Sequence, residues 1–164
     1  MKLTALILVL LFMCPMLFAD DKDIDFDPSA NFSAFKTFLI RNGELTAKAP
    51  ELRSPLMRKK IEESIRTQLS AKGLSETQGR PDLVVNWRFG AANQQGVTVG
   101  PRGRRLATFK FTEGTLVIDL MDREGRDLVW RGIYRDDESN PSKISDKLAN
   151  DIKKLFQDFP PKKK

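Results

Sequence analysis

EGTLVIDLMDREGRDLVWRGIYR, Glu113 to Arg135, reads as two strands about a turn. Leu116, Ile118 and Leu120 fall on alternate positions. DREGRD supplies a polar, glycine-bearing break, after which Leu128, Trp130 and Tyr134 take one face and Val129 and Ile133 the other. Successive strand side chains point to opposite faces, so period-two patterning on both sides of a turn predicts a hairpin of two long strands. Upstream, Phe109 and Phe111 are odd where Leu116, Ile118 and Leu120 are even. A bulge at Gly114 would restore the parity and make one strand from Leu106 to Met121.

Working outward, DLVVNWRF alternates strictly, with Leu83, Val85, Trp87 and Phe89 against Val84, Asn86 and Arg88, and predicts a third strand. Between it and the hairpin lies GAANQQGVTVGPRGRR, with four glycines and three arginines. This is expected to be a flexible basic loop over residues 90–105, in which Val97 and Val99 suit a short hairpin. FDPSANFSAFKTF, Phe26 to Phe38, places a turn at Asp27-Pro28 ahead of a strand carrying Phe32, Phe35, Phe38 and Ile40 and ending near Arg41. The acidic residues 20–27 before it are expected to be loose, and NGELTAKAPELR after it to be a loop.

Two helices share one grammar. Ser54-Pro55 offers an N-cap followed by proline at the first helical position, where its missing N–H costs nothing. Met57, Ile61, Ile65 and Leu69 then recur every four residues, and Gly73 stops the helix. Asn140-Pro141 repeats the opening; Ile144, Leu148, Ile152, Leu155, Phe156 and Phe159 give the apolar stripe, and Pro160-Pro161 the stop. The expected order is β-α-β-β-β-α: an α+β two-layer sandwich, a mainly antiparallel sheet of about four strands with both helices on one face.

The N-terminus, MKLTALILVLLFMCPMLFAD, puts Lys2 ahead of an apolar run from Leu6 to Met13. It reads as a secretory signal peptide over residues 1–19, too short to span a bilayer and followed at once by acid. Residues 20–164 then form a single envelope domain with its core over about 24–160, of a size that buries about two-thirds of its unfolded surface. The only cysteine, Cys14, falls within the signal, so cleavage after Ala19 leaves no thiol; lipidation of Cys14 is the alternative. Removing Lys2 leaves 27 basic against 22 acidic residues, a net charge of +5. That balance suits anionic envelope polymers or lipid headgroups.

Taken in order, these pieces resemble domain-of-unknown-function family 4136, bacterial envelope proteins of which many are lipoproteins. The resemblance rests on DPSANFSAFKTF, on IRTQLSAKGL (Ile65 to Leu74), on RPDLVVNWRF (Arg80 to Phe89), on EGTLVIDLMDREGRDLVWRG and on a closing helix that ends in Phe159-Pro160. It implies an exported single-domain α+β protein and brings no catalytic residue. The chain departs from the family's lipidation pattern at LFMCP, where Met13 precedes Cys14 in place of a small residue.

Composition excludes several chemistries. With no histidine, there is no Ser-His-Asp triad, Cys-His dyad, imidazole zinc site or His-ligated haem. Asp21, Asp23, Asp25 and Asp27 alternate like a calcium loop, but Phe26 and Phe32 stand where its glycine and glutamate are required. Ser33 and Lys36 match S-x-x-K, but on a strand they would point to opposite faces. Glu113, Asp119 and Asp122 are the candidates for a glycosidase-type carboxylate pair, and Trp87, Trp130 and Tyr134 for a ligand pocket.

Arg102, Arg104 and Arg105, with Lys162 to Lys164, are the candidate contacts for an anionic ligand. No aromatic array interleaves with them, so nucleic acid is not expected, and no cofactor or metal is expected. The sequence thus leads to an exported envelope protein that is not an enzyme. It would bind another envelope protein, a lipid or a polysaccharide, in the periplasm or, if Cys14 is lipidated, with peripheral membrane contact. A hydrolase using carboxylates or a serine-lysine pair is the alternative class.

Overall fold

The computed structural model describes residues 21–90, 96–99, 105–109, 114–123, 127–136, 138 and 140–162. In chain order the elements are β1 (Asp21–Phe26), β2 (Thr37–Leu45), α1 (Pro55–Ala71), β3 (Ser75–Glu76), β4 (Leu83–Gly90), β5 (Gly96–Val99), β6 (Arg105–Phe109), β7 (Thr115–Asp122), β8 (Leu128–Arg135) and α2 (Pro141–Leu155). Single 3-10 turns lie at Phe32–Ala34 and Pro50–Arg53. Six strands form one sheet in the order β1-β8-β7-β4-β2-β3, and β5 and β6 pair as a separate two-stranded sheet. The β1–β8, β8–β7 and β7–β4 pairings are antiparallel, whereas β4–β2 and β2–β3 are parallel.

Both helices form as their sequences dictate. The Ser54 hydroxyl accepts from Met57 N at 3.2 Å, and Met57, Ile61, Ile65 and Leu69 are buried. The C-terminus of α1 closes as a Schellman motif: Gly73 at φ 86°, Gly73 N donating to Ser70 O, and Leu74 N to Leu69 O. The Asn140 side chain accepts from Ser142 N and Lys143 N at the start of α2. The apolar stripes of both helices join one core with alternate residues of the sheet, among them Phe38, Val85, Trp87, Phe89, Leu116, Ile118, Leu120 and Trp130.

A mixed fold of two helices on a mainly antiparallel sheet agrees with expectation, but the count of about four strands and the order β-α-β-β-β-α are corrected. Residues 21–26 are not loose: β1 lies against β8, with Asp21 opposite Arg135 and Phe26 opposite Trp130. Ile24 and Phe26 pack on the core while Asp23 and Asp25 are exposed, and charges on an edge strand also discourage pairing with a second edge. β2 continues past Arg41 to Leu45 through a register shift between Ile40 and Asn42. That irregularity breaks the alternation from which the end of the strand is read.

Nor does one bulged strand run from Leu106 to Met121. β6 ends at Phe109 in the smaller sheet, and Gly114, at φ 86° against the backbone of Asp136, turns the chain into β7. The bulge lies instead on β8: Leu120 faces Trp130 and Met121 faces Leu128, so Val129 is skipped and joins the core rather than lying with Ile133. The 90–105 segment holds β5 and the start of β6, whose pairing of Val97 with Thr108 and Val99 with Arg105 forms the short hairpin.

Asp82, just before β4, ties that strand to the start of β2. Its carboxylate accepts from Lys36 N, Thr37 N and Thr37 Oγ1 at 2.8 to 2.9 Å. The bond from Lys36 N, followed by those from Thr37, holds its pKa below the ordinary aspartate value. A carboxylate with a depressed folded pKa stabilises above the unfolded pKa and loses that contribution as pH falls through the folded one. Asp82→Ala should therefore cost about 1 kcal/mol at neutral pH and distinctly less once the pH has fallen through the lowered folded pKa, as read by urea unfolding across an acid series.

Candidate functional site

On the face of the sheet away from the helix-side core, the register lines up a polar row across five strands. Asn42 faces Asn86, Asn86 faces Asp119, Asp119 faces Arg131, and Arg131 faces Asp25. The Arg131 guanidinium forks onto Asp119, with Nε to Oδ1 at 2.6 Å and Nη2 to Oδ2 at 2.7 Å, and both residues are buried. A second cation, Arg88 Nη2, stands 3.7 Å from Asp119 Oδ2. Asn42 Nδ2 donates to Asn86 Oδ1 at 3.1 Å. Val117 and Ile133 are buried in the neighbouring row, between Arg88 and Asp23.

A second polar cluster joins the end of β8 to α2. Lys147 Nζ donates to both oxygens of Asp136, at 3.2 and 3.1 Å, and this bond raises the lysine pKa. Asp151 interrupts the apolar stripe of α2 and is only 3 % exposed. Burial pushes its carboxyl pKa up, against a hydrogen bond from the Tyr134 hydroxyl and the attraction of Lys154, whose Nζ lies 3.9 Å away.

The strand directions bring several chain ends together. β1 and β7 begin, and β2, β4 and β8 finish, at one end of the sheet, marked by Asp21, Thr115, Leu45, Gly90 and Arg135. The connection bearing the three arginines leaves from Gly90 and returns before Thr115. Arg105 begins β6, opposite Val99; Arg102 and Arg104 lie outside the described residues. Lys162 is exposed near the C-terminus, and Lys163 and Lys164 lie outside the described residues.

Other candidate residues are dispersed. Ser33 is in a 3-10 turn rather than a strand, and its hydroxyl donates to Asn31 Oδ1 at 2.8 Å. Asp27 accepts from Ser29 N and Oγ in a local turn. Asp119 is committed to Arg131, Asp122 ends β7, and Glu113 lies outside the described residues. Trp87, Trp130 and Tyr134 are all buried but serve separate contacts: Trp87 lies against Gly43 beneath Arg58, Trp130 stacks on Phe156, and Tyr134 reaches Asp151.

Surface depressions of about 460 and 560 Å³ run along α1, the first beside Leu56, Lys60 and Ser64 and the second beside Leu45, Arg53 and Arg58. Neither is lined by Asp119, Asp136 or Asp151. Asp151 is the functional candidate that sequence reasoning passes over. An aspartate among Ile144, Leu148, Ile152 and Leu155 breaks the stripe and is the signal that marks it.

Comparison with solved structures finds several similar chains. A PDZ domain protein from Parabacteroides distasonis is 17 % identical and superposes with a TM-score of 0.53 over 88 % of this chain, which spans 36 % of that protein's length. The PelC dodecamer from Paraburkholderia phytofirmans is 12 % identical, covers 83 % of this chain and 96 % of its own, and gives a TM-score of 0.46. A minor lipoprotein from Acinetobacter baumannii is 14 % identical over 75 % of this chain and 87 % of its own, at 0.30. No curated protein matches significantly. Residues 22–161 match the domain of unknown function DUF4136, and the chain belongs to that family.

Proposed function

We propose that this is an exported, non-catalytic domain of the cell envelope that meets an anionic surface, lipid headgroups or an acidic polymer, at the end of its sheet from which the arginine-bearing connection leaves. The observation that carries the reading is the gathering of strand ends. The start of β1, directly behind the apolar N-terminal segment, and the Gly90 and Thr115 limits of the connection with Arg102, Arg104 and Arg105 share one end with Arg135. Among the described residues, no helix is long and apolar enough to cross a membrane. A non-catalytic role is supported by the engagement of two of the three buried carboxylates among the described residues, Asp119 with Arg131 and Asp136 with Lys147.

Guanidinium forks suit phosphate and carboxylate oxygens, and their contribution falls with salt. Replacing Arg102, Arg104 and Arg105 together by Ala should weaken co-sedimentation of the mature protein with phosphatidylglycerol vesicles several-fold at low ionic strength. It should also flatten the salt dependence of that binding. Equal binding by the two proteins across a salt series would reject the proposal.

A further inference from the structure

The polar cluster between β8 and α2 does more than join two elements. We propose that Asp151, with Tyr134, Lys147, Lys154 and Asp136 around it, is a proton-binding site that fixes α2 to the end of β8 more firmly as the surroundings become acidic. Asp151 is on the inward face of α2, in a stripe whose other members are Ile144, Leu148, Ile152 and Leu155, and it is as enclosed as they are. A carboxylate in such a place loses hydration that its neighbours replace only in part.

The groups acting on it come from three elements. From β8 comes the Tyr134 hydroxyl; from the segment after β8, Asp136, whose like charge opposes ionisation; from α2 itself, Lys147 and Lys154. Lys147 is already engaged, because both Asp136 oxygens accept from its Nζ. Lys154 also lies over the Tyr134 ring, 5.8 Å from its centroid, and is 3.9 Å from the carboxylate rather than at hydrogen-bond distance. On the other flank of α2, α1 brings Lys60 to Ser145, more than a turn nearer the N-terminus of α2. The ionised carboxylate is therefore held by one hydroxyl and a distant ammonium, and the neutral acid suits the site better.

Burial raises the folded pKa above that of the unfolded chain, so the folded state takes up its proton first. Stability contributed by this group grows as pH falls through the folded pKa and levels off below the unfolded value of about 3.9. This is opposite to Asp82, so the two are separable in one titration.

Three measurements on the full mature chain test the site. The ¹³C carboxyl shift of Asp151 should titrate above the ordinary aspartate range; a midpoint within or below it overturns the proposal, whatever any variant does. Asp151→Asn should raise the urea midpoint at pH 7, with the two proteins converging toward pH 4; an offset independent of pH would equally reject it. Tyr134→Phe, which removes the one bond favouring the ionised form, should move the Asp151 midpoint to higher pH, and an unmoved midpoint would remove Tyr134 from the site.

Discussion

Replacing Asp119 by Ala should cost the domain about 3–5 kcal/mol, because it removes the carboxylate onto which the buried Arg131 guanidinium forks. Arg131 is 2 % exposed and Asp119 8 %, and two bonds of 2.6 and 2.7 Å join them. The cost comes from taking two charge-assisted hydrogen bonds from a desolvated guanidinium rather than from the attraction itself, so the two halves of the pair should differ. Arg131→Met leaves Asp119 with Arg88, 3.7 Å away and partly solvated, and should cost less than Asp119→Ala. The double change Asp119→Leu with Arg131→Met removes both charges and should recover most of the loss. Urea unfolding of the four proteins reads this directly. A single-substitution cost below about 1 kcal/mol, the range of solvent-exposed pairs, would show that water reaches this face freely.

The same pair shows where the sequence stops being legible. α1 is legible from the order of its residues alone, because its signals are local: Ser54-Pro55 at one end, Lys72-Gly73 at the other, and Met57, Ile61, Ile65 and Leu69 at four-residue spacing between. Asp119 and Arg131 carry no such signal, since each is an ordinary charged residue on an alternating strand until the β7–β8 register places them opposite. That register contains a bulge which alternation alone assigns elsewhere. A glycine at position 114 suits either a bulge within one strand or a turn between two, and only the contact with Asp136 decides for the turn. β1 hides for a related reason: aspartates on its exposed side make a paired edge strand look like a solvated tail. β3, two residues long, is held by Ser75 N donating to Lys36 O and Thr77 N to Phe38 O, contacts that no sequence pattern announces. At the candidate site, the arginine connection is visible from composition, whereas the gathering of its limits, Gly90 and Thr115, at the same end of the sheet as the start of β1 depends on strand direction and needs the whole topology.

Phe159→Ala should be as damaging as the loss of Asp119, at about 3–5 kcal/mol, although it lies beyond the last helix. Its ring is the junction of an aromatic cluster built from both ends of the domain. It meets Phe32 at 5.8 Å, Trp130 at 5.7 Å and Phe156 at 5.9 Å, each edge-to-face, and Phe156 stacks on Trp130 at 5.1 Å. Phe32 in turn meets Phe26 and Phe35, so three of the four rings of FDPSANFSAFKTF join the C-terminal segment, while Phe38 lies in the core itself. Phe35 is half-buried at the rim and makes its ring contact with Phe32; Phe35→Ala should cost about 1–2 kcal/mol. The two substitutions should also differ in kind. Removing Phe159 takes away the support of residues 26–38, so limited proteolysis should cut that segment faster in Phe159→Ala than in Phe35→Ala. Equal destabilisation by the two changes would mean that the cluster is a set of independent rim contacts. Marginal stability sharpens the contrast: for a domain with roughly 5–15 kcal/mol in hand, the larger loss brings unfolding within reach of ordinary temperatures and the smaller does not.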